Sequence, residues 1–172
     1  MNDGLNKYEN EDKIGAVSAF LFPQIVNAPE TFLVSDFACW GWATWKRAWD
    51  LFNPNASDLL RQLRWKKYEF NMQGSFPAYE MLVDQKRGNV NSWAIRFAAS
   101  LFLAKKLVLY PSQSLVKSNG LDGTGVHCGG DDVYAGMQIL NRPVKVDDIQ
   151  IENNPDMYKL LWIIIERIIR II

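Results

Sequence analysis

The sequence predicts a single α/β domain. Two apolar runs, Ile14 to Phe22 and Leu107-Val108-Leu109-Tyr110, read as buried strands, closed by Pro23 and Pro111. Between them lie stretches whose apolar residues recur at helical spacing. The chain has 172 residues, enough for one sizeable core.

Residues 1–13 are polar and read as a loop. The strand at Ile14 has its alternation weakened by Gly15. Residues 23–39 form an irregular connection carrying Pro29 and Asp36. A helix is expected from about Thr44 to Phe52, stopped by Asn53-Pro54-Asn55. Ser57-Asp58 can cap the next helix, roughly 58–72, and Gly74 ends it. Tyr79 to Gln85 is helical in pattern and Lys86-Arg87-Gly88-Asn89 is a turn. Asn91-Ser92 caps a helix over about 93–104, with Trp93, Ile95, Phe97, Leu101 and Phe102 on its apolar face. Pro155 suits the first turn of a last helix. Its apolar stripe, Leu161, Ile164, Ile165, Ile168 and Ile172, is widened by Ile163, Ile169 and Ile171. Such a helix either docks on the protein's own core or contacts a partner or a membrane surface.

Net charge is zero, which gives no electrostatic footprint for nucleic acid. Two cysteines, Cys39 and Cys128, are too few for a disulfide framework and fit a reducing compartment. The start lacks the apolar core of a signal peptide, and no run of 18 apolar residues spans a membrane. The expected location is the cytoplasm, with residues 158–172 offering contact at the inner membrane face.

Two stretches carry candidate chemistry. Trp40, Trp42, Trp45 and Trp49 fall within ten residues. Tryptophan is large and rigid and keeps one N–H that needs a partner, so such a cluster can wall a site for flat ligands. Its 42, 45, 49 spacing equally suits the core face of a helix. The second stretch holds five glycines from Gly120 to Gly130. It reads either as a flexible surface loop or as an anion-binding lid with bare backbone N–H groups. It fits neither common glycine-rich phosphate fingerprint in spacing.

Four ordered blocks resemble bacterial family 2 glycosyltransferases, the sugar transferases of polysaccharide gene clusters. They are Trp40-Gly41-Trp42-Ala43-Thr44-Trp45-Lys46-Arg47-Ala48-Trp49, Ser92-Trp93-Ala94-Ile95-Arg96-Phe97, Tyr110-Pro111-Ser112-Gln113-Ser114-Leu115-Val116 and Gly120-Leu121-Asp122-Gly123-Thr124-Gly125-Val126-His127-Cys128. The likeness covers about residues 6–130. It implies the GT-A nucleotide-diphospho-sugar transferase fold, a short mixed sheet flanked by helices. Neither a glycine-rich βαβ start nor an Asp-x-Asp pair precedes Ile14, and Glu11-Asp12 is the nearest acidic pair. The chain therefore resembles the carboxyl-terminal, acceptor-side portion of such an enzyme. Residues 1–142 would form that portion and residues 143–172 a tail with the amphipathic helix.

An inverting transferase, which the resemblance implies, needs a carboxylate to take the acceptor hydroxyl's proton. Related enzymes carry it just before the tryptophan of the Ser-Trp-Ala-Ile-like block. Here Asn91 and Ser92 stand there, and neither is a base. Asn91 could bind the acceptor. Asp36 and Asp50, which flank the tryptophan cluster, are the candidate catalytic carboxylates, and Asp84 is a third. The alternatives are a loop cap for Asp36 and a helix-surface charge for Asp50. Trp40, Trp42 and Trp45 would line the acceptor pocket. Lys117, Asp122, Gly123, Gly125 and His127 would face the nucleotide's phosphates. The complete enzyme would use a divalent cation, Mn²⁺ or Mg²⁺, with His127 as a candidate ligand. The partners would be a nucleotide sugar and a glycan or lipid-linked acceptor in surface polysaccharide synthesis. The alternative function is a non-catalytic carbohydrate-binding or assembly module that lacks the donor-binding half.

Overall fold

The computed structural model describes residues 1–23, 25, 27–117 and 137–169. In chain order the elements are α1 (Asn2–Lys7), β1 (Ile14–Ser18), β2 (Thr31–Val34), β3 (Trp42–Thr44), α2 (Lys46–Trp49), α3 (Ala56–Leu63), α4 (Lys67–Phe70), α5 (Ala78–Arg87), α6 (Trp93–Leu103), β4 (Leu107–Pro111) and α7 (Pro155–Ile169). The fold is mixed α/β. Its four strands form an open mixed sheet in the order β2-β4-β1-β3, flanked by helices. Only β1 and β4 run parallel; the two edge pairs are antiparallel.

Strand alternation sorts the sheet residues onto two faces. Ala16, Phe32, Val34, Val108 and Tyr110 join one buried cluster, with Phe97 and Leu101 of α6 and Leu161, Ile164, Ile165 and Ile168 of α7. Ile14, Val17, Leu33, Leu107 and Leu109 face the other way, under α1 and residues Val146, Ile149 and Ile151. A third cluster, led by Leu59, Leu63, Leu82 and Ile95, joins α3, α5 and α6. Helix α6 thus sends Phe97 and Leu101 into the sheet and Ile95 and Ala99 toward its neighbouring helices. Gly15 lets this layer come close: a Cβ there would lie 2.7 Å from Leu101 Cδ2 and 2.9 Å from Lys106 Cβ. The β1–β4 register shifts at the same point, between Ile14 and Ala16.

Caps set several boundaries. Asn55 Oδ1 accepts from the backbone N–H of Ser57 and Asp58 at 3.0 and 3.1 Å, so α3 starts earlier than the Ser57-Asp58 signal suggests. The single helix expected over 58–72 is interrupted at residues 64–66, giving α3 and α4. The expected helix at Thr44 is mostly replaced: Trp42–Thr44 pairs with β1, and only Lys46–Trp49 is helical. Thr31–Val34, expected to be irregular, is a fully buried strand. Residues 2–7, expected as loop, form α1, where Gly4 packs against Leu109 and Val17.

The last helix docks on the protein's own sheet. Leu161 is 0 % exposed, and the preceding Asn154 donates its N–H to the Leu33 carbonyl at 2.8 Å. Among the described residues no helix is long and apolar enough to cross a membrane. Leu161→Ala is expected to cost about 2–5 kcal/mol, because it leaves a cavity between α7 and the sheet. Urea unfolding measures this as a lowered midpoint at unchanged slope. A cost below about 1 kcal/mol would mean that α7 is not docked.

Candidate functional site

The strand order creates the site. Strands β2 and β3 are consecutive in sequence but occupy opposite edges of the sheet. Residues 35–41 must therefore cross β4 and β1, and they do so over the face that α7 covers. Phe37, Ala38 and Trp40 of this segment pack on that face's buried cluster. Four hydrogen bonds hold the crossing. Ser35 N–H donates to Asn153 Oδ1 at 2.9 Å. The buried Tyr110 hydroxyl accepts from Ala38 N–H at 2.9 Å and donates to the Asp36 carbonyl at 3.3 Å. Ala19 N–H donates to the Gly41 carbonyl at 2.6 Å. Gly41 has φ +59°, and a Cβ there would meet both Val116 methyls at 2.9 Å, so glycine is required at this turn.

Asp36 is the distinctive group. It keeps partial solvent contact, yet protein surrounds its carboxyl, and burial pushes its pKa up to about 6. Only the Phe37 N–H opposes the rise; no Lys or Arg among the described residues pulls it back. Tyr110 and Tyr158 mark its surroundings. Burial raises both phenols, and the Asp36 carboxylate raises them further. Burial also raises the Cys39 thiol, leaving it a weak nucleophile. The Gln73 side chain lies close enough to the Tyr158 phenol to lower its pKa in part. Gln73 sits in a left-handed run, with φ of +49°, +59° and +89° at Met72, Gln73 and Gly74.

Around Phe37, the residue after Asp36, the aromatic rings converge. Phe37 meets Trp42 edge-on at 5.2 Å and Phe97 at 5.2 Å. Trp42 stacks on Trp93 at 5.1 Å, and Trp49 lies 6.1 Å from Trp42. Trp40 stands edge-on to Phe20 at 4.7 Å. Trp45 belongs elsewhere: it packs on the opposite sheet face, donates its indole N–H to the Leu5 carbonyl at 3.2 Å, and carries the Arg47 guanidinium over its ring. The chain turns from β3 into α2 at this residue, which separates Trp45 from Trp42.

The other candidates scatter. Asp50 is exposed at the end of α2 and pairs with Lys46 at 2.6 Å, an ordinary surface ion pair. Asn91 is exposed, and its Oδ1 accepts from Arg96 at 3.0 Å. Asp84 accepts from Asn89 Nδ2 at 3.0 Å. Lys117 is exposed. Asp122, Gly123, Gly125 and His127 lie outside the described residues. Among the described residues no group of three or more His, Cys, Asp or Glu could hold a metal ion. A cavity of about 460 Å³ lies apart, between Leu21, Phe22, Ile25, Gln113 and Met137, and Asp36 does not line it.

Sequence reasoning missed Tyr110, Tyr158 and Gln73, whose roles come from tertiary contact alone. It placed Trp93 on a helix face without linking it to Trp42. No known family, curated protein or solved structure matches the chain.

Because Asp36 holds its proton more tightly folded than unfolded, stability falls as pH rises from about 4 to about 6 and stays reduced above. Asp36→Asn removes that burden. It is expected to stabilise the protein at pH 8 by on the order of 1–3 kcal/mol and to change little near pH 4. Urea midpoints at the two pH values measure this; a loss of stability at pH 8 would show that the carboxylate is well solvated or paired.

Proposed function

We propose that this chain forms the acceptor side of a nucleotide-sugar glycosyltransferase of the GT-A class, acting in surface polysaccharide synthesis, with Asp36 as the general base. One observation carries the reading: a desolvated carboxylate, with a pKa of about 6 and no cationic partner among the described residues, belongs to the residue that precedes Phe37 of an aromatic wall. A base needs a pKa near the working pH and access to the proton it takes. Burial gives Asp36 the first; the second requires the acceptor hydroxyl to reach a carboxyl that protein surrounds, in a residue that keeps partial solvent contact.

In the proposed step the acceptor hydroxyl gives its proton to the Asp36 carboxylate. Its oxygen then bonds to the anomeric carbon of the donor as the bond to the nucleoside diphosphate oxygen breaks. The electron pair leaves on the diphosphate. Trp40 and Trp42 would cover the apolar side of the acceptor sugar. The glycine-rich stretch with Lys117, Asp122, Gly123, Gly125 and His127 would meet the phosphates, as the resemblance implies. We place its action in the cytoplasm, because two cysteines are too few for a disulfide framework and fit a reducing compartment.

The test is sugar transfer by the whole chain from a panel of UDP- and GDP-linked sugars. The rate is expected to rise with pH through about 6, as Asp36 ionises. Asp36→Asn is expected to lower it by roughly 10²–10⁴-fold, while Asp50→Asn retains it within about twofold. An active Asp36→Asn variant would overturn the assignment. The partly exposed tryptophans favour a second reading, a glycan-binding module without catalysis. That reading requires glycan binding that ignores Asp36→Asn, with no transfer from any donor.

A further inference from the structure

The aromatic wall does not end at the buried side. Trp49 and Trp93 are 40 % and 39 % exposed and lie 6.3 Å apart. They continue the half-buried Trp42 into one surface patch. The patch is rigid because Phe97, 0 % exposed, backs it at 5.0 Å from Trp49 and 5.5 Å from Trp42. Phe52 extends it, parallel to Trp49 within 4° at 5.1 Å. Among the described residues none of the Trp42, Trp49 and Trp93 indole N–H groups makes a hydrogen bond. The patch therefore offers ring faces together with donors that are unspent.

A positive charge borders it. The Arg96 guanidinium lies 5.6 Å over the Phe52 ring. It donates to the Ser92 carbonyl at 3.1 Å, the Pro54 carbonyl at 3.3 Å and Asn91 Oδ1 at 3.0 Å, all of them neutral acceptors. A guanidinium has five N–H donors, so further ones stay available in a fixed orientation. No carboxylate among the described residues pairs with Arg96.

We propose that this patch is a sugar-binding subsite for a residue carrying a carboxylate, of the uronic acid class. The C–H face of the pyranose would lie on Trp49 and Trp93, its hydroxyls would accept from the indole N–H groups, and its carboxylate would meet Arg96. The proposal rests on the acceptor-side reading above and names the acceptor's class. Phe37 joins the two places, since it follows Asp36 in the chain and its ring lies 6.5 Å from that of Trp93. A neutral sugar would gain the stacking but not the ion pair.

The experiment is calorimetric titration of the whole chain with a tetramer of glucuronic acid and with the neutral glucose tetramer of the same linkage. The acidic tetramer is expected to bind at least tenfold more tightly, with affinity that falls as salt is raised. Trp93→Ala should weaken it by tenfold or more. Arg96→Gln keeps hydrogen-bond donors but removes the charge, and should bring the acidic tetramer down to the neutral one while sparing the latter. Thermal melts of both variants confirm that they remain folded. Equal binding of the two tetramers, binding of neither, or a preference that survives Arg96→Gln would overturn the proposal. The two readings fail separately. Transfer that ignores Trp49→Ala and Trp93→Ala removes the subsite and leaves the transferase; acidic-glycan binding without any transfer removes the transferase and leaves the subsite.

Discussion

The site depends on one topological constraint: consecutive strands at opposite edges of the sheet. Crossing β4 and β1 spans three strand spacings, about 14 Å. Seven residues can reach further than that. The surplus lets the segment settle onto the apolar face instead of stretching across it. The Tyr110 hydroxyl fixes where it settles, because the Ala38 N–H and Asp36 carbonyl would otherwise be polar groups without partners on an apolar surface. Asp36 is carried out of bulk water by this geometry, and Phe37 is wedged among Trp42, Trp93 and Phe97.

Two further elements close around Asp36. Helix α7 covers the sheet with Leu161, Ile164 and Ile165 and brings Tyr158 beside the carboxylate. The left-handed run Met72-Gln73-Gly74 supplies Gln73 to Tyr158. Two non-glycine residues at positive φ cost on the order of 1 kcal/mol or more each, so the surrounding bonds must hold them. Asn71 does this: its Oδ1 accepts from Tyr79 N–H at 2.7 Å, its Nδ2 donates to Glu80 at 2.8 Å, and its carbonyl accepts from Phe76 N–H at 3.0 Å.

Much of the frame was legible in the sequence. Strands β1 and β4, helices α5 and α6, and the start of α7 follow from apolar runs, caps and prolines. The edge strands did not, because three or four residues carry no period to detect. The tryptophan spacing was misleading for the same reason. Trp42, Trp45 and Trp49 fit one helix face, yet a strand-to-helix turn sends Trp45 to the opposite side of the sheet. What assembles the wall is α6, which brings Trp93 and Phe97 to Trp42 from about fifty residues away in the chain. The position of Asp36 before the tryptophans was visible, but its burial was not, since that depends on the crossing. Asp50, equally close in sequence, stays on the surface with Lys46.

The most direct measurement is the ionisation of Asp36 itself, followed through its side-chain carboxyl carbon by NMR between pH 3 and pH 9, with Asp36→Asn assigning the signal. A midpoint near 6 is expected if the crossing segment desolvates this carboxylate and leaves it without a cationic partner. A midpoint near the ordinary value of about 4 would contradict it. Asp36 would then be a solvated loop carboxylate, and no base would stand beside the aromatic wall.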